Sequence, residues 1–317
     1  MTWADLRRAA GGYLSVRRGM GLKDPRSRKF LNEFLRFIDK QKTHGSNLAQ
    51  KAFEWACLTP RADATASQAS RLAVIRGFLG YAKTVFPETE IPPSGMLKSY
   101  QRRPPYLFSN NEISRLLDLT RSLTPRGSLR PQTYHTIIGL LSCTGLRASE
   151  ALHLEVADVQ LHLQPPRLHI VETKFLKSRL VPLHPTTADA LQLYKERRSM
   201  SFPADLSAPF FVSNQGKTIP YFTLKNGFMR LLQRAGIVGK QHHRGPCLHS
   251  LRHSFAVQRL TAWYQQGANV QALAPNLSVY LGHARLKDSY WYLSALPELL
   301  NAASHRFSIF AEKEGEC

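Results

Sequence analysis

The chain has 317 residues, 43% of them hydrophobic, and carries 43 Lys and Arg against 22 Asp and Glu, for a net charge of +21. That apolar share supports sizeable cores and excludes global disorder, and the length suits two domains of roughly 100–200 residues each. The positive excess extends over most of the chain, so a polyanion is the natural partner, nucleic acid first; the bland alternative is a generic basic protein with solvated Lys and Arg faces.

The four cysteines, Cys57, Cys143, Cys247 and Cys317, lie far apart and form no CxxC pair. Neither a disulfide framework nor a zinc site is indicated, which fits a reducing cytoplasm. The opening MTWADLRRAAGGYLSVRRG lacks the apolar core of a signal peptide, and no run of about 18 apolar residues suggests a spanning helix. The expectation is a soluble cytoplasmic protein associated with the nucleoid.

Along the chain, residues 1–90 read as a small four-helix domain. Phe30, Leu31, Phe34, Leu35, Phe37 and Ile38 recur at helical spacing after Pro25, a residue suited to a first turn. Leu72, Ile75, Phe78, Leu79 and Ala82 form a second such face that stops at Pro87. Shorter helices are expected around 2–14 and 46–58. Residues 91–105, IPPSGMLKSYQRRPP, contain two Pro pairs that favour extended backbone. With Lys98, Arg102 and Arg103 this segment reads as a basic linker, suited to lie along DNA or simply to be solvated.

A larger domain is expected over 106–317. FSNNEISRLLDL has the form of a capped helix start, with Ser109 or Asn110 ahead of Glu112. A buried helix follows near 132–143. RLHIVET (167–173) and RLVPL (179–183) then read as two strands of a hairpin joined by KFLKS. Helical patterns return near 186–199 and 221–235 and dominate from 250 onward. The fold class is mainly α with a small β-sheet.

Four clusters in this second half are rich in groups that bind or activate phosphate. In CTGLRASEALHL, Gly145 ends one helix and Arg147 begins the next, with Ser149 and Glu150 in its first turn. Lys174 sits at the tip of the hairpin. In LHSLRHSFA, His249 has Arg252 and His253 three and four residues on, on one helix face. Two such histidines can bind zinc, but there is no HExxH motif and a cation in a metal site is unfavourable, so zinc is rejected. YLGHARLKDSYWYL places His283 after a turn-forming Gly, with tyrosines nearby. Taken alone, Arg147 at a helix start or Lys174 in a turn is ordinarily a solvated surface group.

Taken in order, these motifs resemble the tyrosine recombinase, or phage integrase, family: TGLRASEAL at 144–152, a Lys on a hairpin, HSLRH at 249–253, and LGH at 281–283 with a Tyr nine residues after the His. The likeness covers about 106–305, and the N-terminal half suits the family's helical DNA-clamping, core-binding domain. The resemblance implies an active site of Arg147, Lys174, His249, Arg252, His283 and Tyr292, with no metal, ATP or other cofactor. It implies a 3′-phosphotyrosine intermediate on double-stranded DNA, and homo-oligomers with a dimer on each site and a tetramer in the synapse.

The residue types suit that role. Two guanidiniums can hold the non-bridging oxygens as charge builds, a phenol serves as nucleophile, and Lys174 can protonate the leaving 5′ oxygen. His249 and His283 would bond the phosphate or move the Tyr292 proton. Tyr290 and Tyr292 are about 200° apart on a helix, so only one can face the phosphate, and the spacing from His283 selects Tyr292. Tyr290 and Trp291 read as packing residues and Tyr280, ahead of the motif, as core. Two departures from the family pattern stand out: the hairpin tip lacks the usual glycine, leaving Lys177 as a rival to Lys174, and the stretch from Gly267 to Leu281 is longer than usual and interrupted by Pro275. Service to a mobile element is the expected role. The alternatives are type IB topoisomerase-like relaxation and an inactive DNA-binding relative.

Overall fold

The computed structural model describes residues 2–22, 25–41, 47–58, 65–97, 104–171, 178–203, 205–239 and 245–283. The chain divides into two compact units, Met1–Arg102 and Arg103–Cys317.

Unit 1 is built from α1 (Trp3–Gly19), α2 (Pro25–Lys40), α3 (Leu48–Cys57) and α4 (Thr65–Val85). Helix α1 begins with a capping box, in which the Thr2 side chain accepts from the Asp5 amide and Asp5 accepts from the Thr2 amide. In α2 the buried Leu31, Phe34 and Ile38 follow the helical repeat, so one stripe faces inward. Helix α4 packs on the other three. Its Ile75, Phe78 and Leu79 join Leu31, Phe34 and Trp55 in a shared apolar core. Full burial of each such large side chain is worth about 1.5–3 kcal/mol. Phe34 meets Trp55 edge to face at 5.6 Å between ring centroids.

Unit 2 starts on extended chain that is tied to its interior, because the Phe108 amide donates to Ser254 Oγ at 2.7 Å. Helix α5 (Asn110–Thr120) carries the expected cap: Ser109 Oγ accepts from the Glu112 amide and Glu112 accepts from the Ser109 amide. The long helix α6 (Arg130–Thr144) runs through the core, with Tyr134, Ile137, Ile138, Leu140 and Leu141 all buried. After it come α7 (Ala148–Leu152), a 3-10 turn at Val156–Asp158, and a three-stranded antiparallel sheet in the order β1 (Val159–Gln160), β2 (Arg167–Ile170), β3 (Arg179–Pro182). Strands β2 and β3 pair Leu168 with Val181 and Ile170 with Arg179. The expected hairpin is present; the two-residue β1 was too short for any periodicity to reveal.

Helices α8 (Pro185–Ser201), α9 (Tyr221–Arg234), α10 (Leu248–Gln265) and α11 (Val270–Leu281) complete the described part. Pro275 lies inside α11 rather than interrupting it, so the added length before Leu281 is helix. No described helix is long and apolar enough to cross a membrane.

Candidate active site

Two helix ends build the site, and glycine makes both. Helix α6 stops at Gly145, whose φ of 64° lies in the left-handed region and whose amide returns to the Leu141 carbonyl. The chain then turns through Leu146 to Arg147, the N-cap of α7. A side chain could not replace the Gly145 hydrogen: a Cβ there would lie 2.5 Å from a Phe255 ring carbon and 2.9 Å from Leu281. Helix α11 ends in the same way. Gly282 adopts φ 67°, its amide donates to Val279, and the amide of His283 donates to the Ser278 carbonyl. The TGLR and LGH motifs are therefore two left-handed helix caps, with Arg147 two residues after Gly145 and His283 directly after Gly282.

The last carbonyls of α11 have no partners within the helix. Arginines from three other elements take them. Arg179 of β3 donates through Nε to the Tyr280 carbonyl at 2.8 Å. Arg252 of α10 donates to the Leu281 carbonyl at 2.6 Å and to the Gly145 carbonyl at 2.9 Å. Arg147 donates through Nη2 to the Gly282 carbonyl at 2.9 Å. The negative end of the helix dipole thus offsets part of the repulsion among three guanidiniums.

One carboxylate offsets more of it. Glu150 accepts from the Arg147 amide at 2.9 Å and from Arg147 Nη1 at 2.7 Å. Arg179 Nη2 and Nη1 hold its two oxygens at 2.8 and 3.2 Å. Burial alone would raise the Glu150 carboxyl, but hydrogen bonds and charge from Arg179, aided by Arg147, outweigh it and hold the group below its ordinary value. The Glu150 side chain is 6% exposed and that of Arg179 9%, whereas Arg147 keeps 29%. Arg252 is 1% exposed.

Among the described residues expected at the site, Arg147, Arg252 and His283 are therefore brought to one place. Arg147 reaches it from its partly open side, Arg252 lies beneath, and His283 follows directly on the Gly282 that Arg147 contacts. His249 is exposed near the start of α10, one turn before the buried His253, with ring centroids 4.6 Å apart. Lys174, its rival Lys177, Tyr290 and Tyr292 lie outside the described residues. Tyr280 belongs to the packing: it stacks on Phe255 at 5.8 Å, and burial pushes its phenol up to about 12, unsuited to losing a proton. Among the described residues no cluster of His, Cys, Asp or Glu is arranged to hold a metal ion. A cavity of about 810 Å³ between α5, α6, α8, α10 and α11 is lined by Cys143, Thr187, Arg259 and Trp263, and by none of Arg147, Arg179 and Arg252.

Arg179 and Glu150 were not among the expected site residues. Arg179 reads in sequence as one residue of a strand, and Glu150 as part of a helix first turn. Only their contacts across the fold place them here.

The family model described as "Phage integrase family" matches residues 107–298. A putative integrase/recombinase y4rB of Sinorhizobium fredii (strain NBRC 101917 / NGR234) is 37% identical over 308 residues, covering 96% of this chain and 97% of its own. Among solved structures, XerH site-specific recombinase bound to palindromic difH substrate aligns with a TM-score of 0.67 at 19% identity, over 87% of this chain and 77% of its own. The Tn1549 transposon integrase in complex with transposon right-end DNA aligns with a TM-score of 0.65 at 15% identity, over 97% and 100%. The two structural likenesses concern the fold, while the family model and the 37% identical relative decide membership: the chain belongs to the phage integrase family, the tyrosine recombinases of site-specific DNA recombination.

Proposed function

We propose that this protein cuts and rejoins DNA strands at specific sites by attack of the Tyr292 hydroxyl on a backbone phosphate. The observation that carries the reading is the convergence of Arg147, Arg179 and Arg252 on three successive carbonyls, Tyr280 to Gly282, immediately ahead of His283. Three guanidiniums against one carboxylate leave a surplus of positive charge where a phosphate would gain negative charge in its transition state.

In this reading the Tyr292 oxygen bonds to phosphorus and the bond to the 5′ oxygen breaks. The product is a 3′-phosphotyrosine and a 5′ hydroxyl. An ordinary phenol titrates near 10, so the nucleophile has to give up its proton during attack; His283 or His249 receives it. The departing 5′ oxygen takes a proton from Lys174, with Lys177 as the alternative donor. Arg147 supplies the accessible guanidinium for a non-bridging oxygen. Arg252 holds the Gly145 and Leu281 turns and contributes charge from below. Rejoining is the reverse sequence with a 5′ hydroxyl from another strand.

The partners in this proposal are double-stranded DNA, which the net charge of +21 favours, and further copies of the chain, two per site and four in the synapse. No cofactor enters these steps. The protein would work in the cytoplasm, where the nucleoid is, in the service of a mobile element. The similarity to an integrase/recombinase over nearly the whole chain supports that assignment.

A nicked suicide substrate carrying the cognate site tests the chemistry. The wild type should accumulate a covalent protein–DNA complex, and Tyr292→Phe should form none. Relaxation of supercoiled plasmid with no strand exchange between sites would instead indicate topoisomerase-like action. A covalent complex that persists in Tyr292→Phe would overturn the choice of nucleophile.

A further inference from the structure

We infer that Arg179 is a positioning residue of the active site, whose hold on Glu150 keeps the charge of Arg147 available to the DNA phosphate. The inference rests on the strand-cleavage reading and adds a residue and a role to it.

Glu150 and Arg147 lie three residues apart at the start of α7, and the contact between Arg147 Nη1 and Glu150 Oε1 is short, 2.7 Å. A carboxylate that is 6% exposed and paired with that guanidinium alone would cancel its charge. It would also set its orientation, because a buried carboxylate is stable only when fully paired. Such an arginine would be a poor phosphate ligand.

Arg179 changes that balance. It presents two nitrogens to the two Glu150 oxygens in the fork geometry that suits a carboxylate. Its own side chain is nearly as buried as that of Glu150. Glu150 is thus neutralised from the inside. Arg147, the more exposed partner, retains its charge and an open edge.

The remaining Arg179 contacts connect the pair to the rest of the site. Nε is bonded to the Tyr280 carbonyl, and the guanidinium lies so close over Gly282 that a Cβ there would come 2.6 Å from Nη1. Arg179 also opens β3, directly after the segment that carries Lys174 and Lys177. One side chain therefore joins three structures: the strand that follows the candidate general acid, the turn that bears Arg147, and the helix end that leads to His283. A lysine could supply the charge but not the three-directional contact.

The test separates charge from bracing by pairing two substitutions. Arg179→Gln should slow covalent-complex formation on the suicide substrate by about 100-fold, the usual scale for loss of a preorganised electrostatic contact, with binding to the same DNA changed less than about threefold. Arg179→Lys should fall between Arg179→Gln and the wild type. The decisive variant is Arg179→Gln combined with Glu150→Gln. Removing the carboxylate releases Arg147, so cleavage should recover at least about tenfold over Arg179→Gln alone. If Arg179 were only a brace, the double variant would be no better than the single one, and that result would overturn the inference. So would an Arg179→Gln protein that cleaves within about threefold of the wild type.

Orthovanadate, a mimic of the phosphoryl transition state, repeats the comparison without cleavage. Its stabilisation of the protein, read as a thermal shift, should be lost in Arg179→Gln and restored in the double variant. If the wild type forms no covalent complex while the vanadate shifts follow this order, the strand-cleavage reading fails and the role of Arg179 stands. If the wild type cleaves and both measurements are indifferent to Arg179, the role of Arg179 fails and the strand-cleavage reading stands.

Discussion

The two units bury charge to different degrees. Residues 1–102 pack helices through apolar stripes, with Leu6, Leu31, Phe34, Ile38, Leu48 and Phe78 among the large side chains hidden there and Lys51 as a buried charged residue. Residues 103–317 bury comparable apolar side chains but also enclose Arg198, Arg252 and His253, and sink Glu150 between two arginines. Removing such groups from water costs several kcal/mol each unless backbone groups or counter-charges compensate. Among the described residues, buried charge concentrates in the unit that the family model matches.

Arg198 and Arg252 sharpen the comparison within unit 2. Both are nearly inaccessible, and both donate to carbonyls: Arg198 to Phe202, Pro209 and Phe210, Arg252 to Gly145 and Leu281. The first clamps a loop onto α8. The second clamps the two turns of the candidate active site. The largest expected effect is therefore on Arg252→Met, which should lose cleavage by about 100-fold or more as well as stability. If Arg252→Met cleaves normally once folded, the buried arginine is merely structural.

Arg198→Met is the matching control. It strands buried carbonyls and should destabilise the protein by about 3 kcal/mol, measured by urea unfolding. Cleavage per folded molecule should stay near the wild-type value, and a specific catalytic defect would erase the distinction between the two arginines. Gly145→Ala comes next in size. Its Cβ would collide with Phe255 and Leu281 in a left-handed backbone, for a loss of about 1–3 kcal/mol. An unchanged melting temperature would mean that the turn is not as tightly packed as these contacts indicate.

The smallest effect is on pH dependence. The Glu150 carboxyl is held below its ordinary value of 4.5 in the folded chain, so the unfolded chain takes up its proton first as pH falls. Its stabilising contribution is complete above that value and is lost as pH drops through the lower, folded one. Denaturation curves recorded from neutral pH into acid should show a loss of stability below pH 4.5 that Glu150→Gln makes shallower. Parallel curves for the two proteins would remove Glu150 as a contributor.

Much of this molecule can be read along the chain. The period of Leu31, Phe34 and Ile38 gives α2, and Ser109 with Glu112 marks the start of α5, because capping and amphipathic burial depend on neighbours a few residues away. The glycines of TGLR and LGH carry their own reason, since a left-handed helix cap favours a residue without a Cβ. The ordered motifs name Arg147, His249, Arg252 and His283. β1 escapes notice because two residues have no period, and Pro275 misleads because a lone proline can sit within a helix whose neighbours hold it.

The linear order of residues thus specifies most of the elements, the succession of motifs and the residue types suited to phosphate. Packing in three dimensions settles how the charges are shared: Arg252 buried on two carbonyls, Glu150 held by two guanidiniums, Arg179 drawn into the site from a strand. These contacts join residues up to 107 positions apart and arise from how α6, α10, α11 and β3 meet. Their strength depends on burial and on distances set by packing, and no local pattern of amino acids encodes either one.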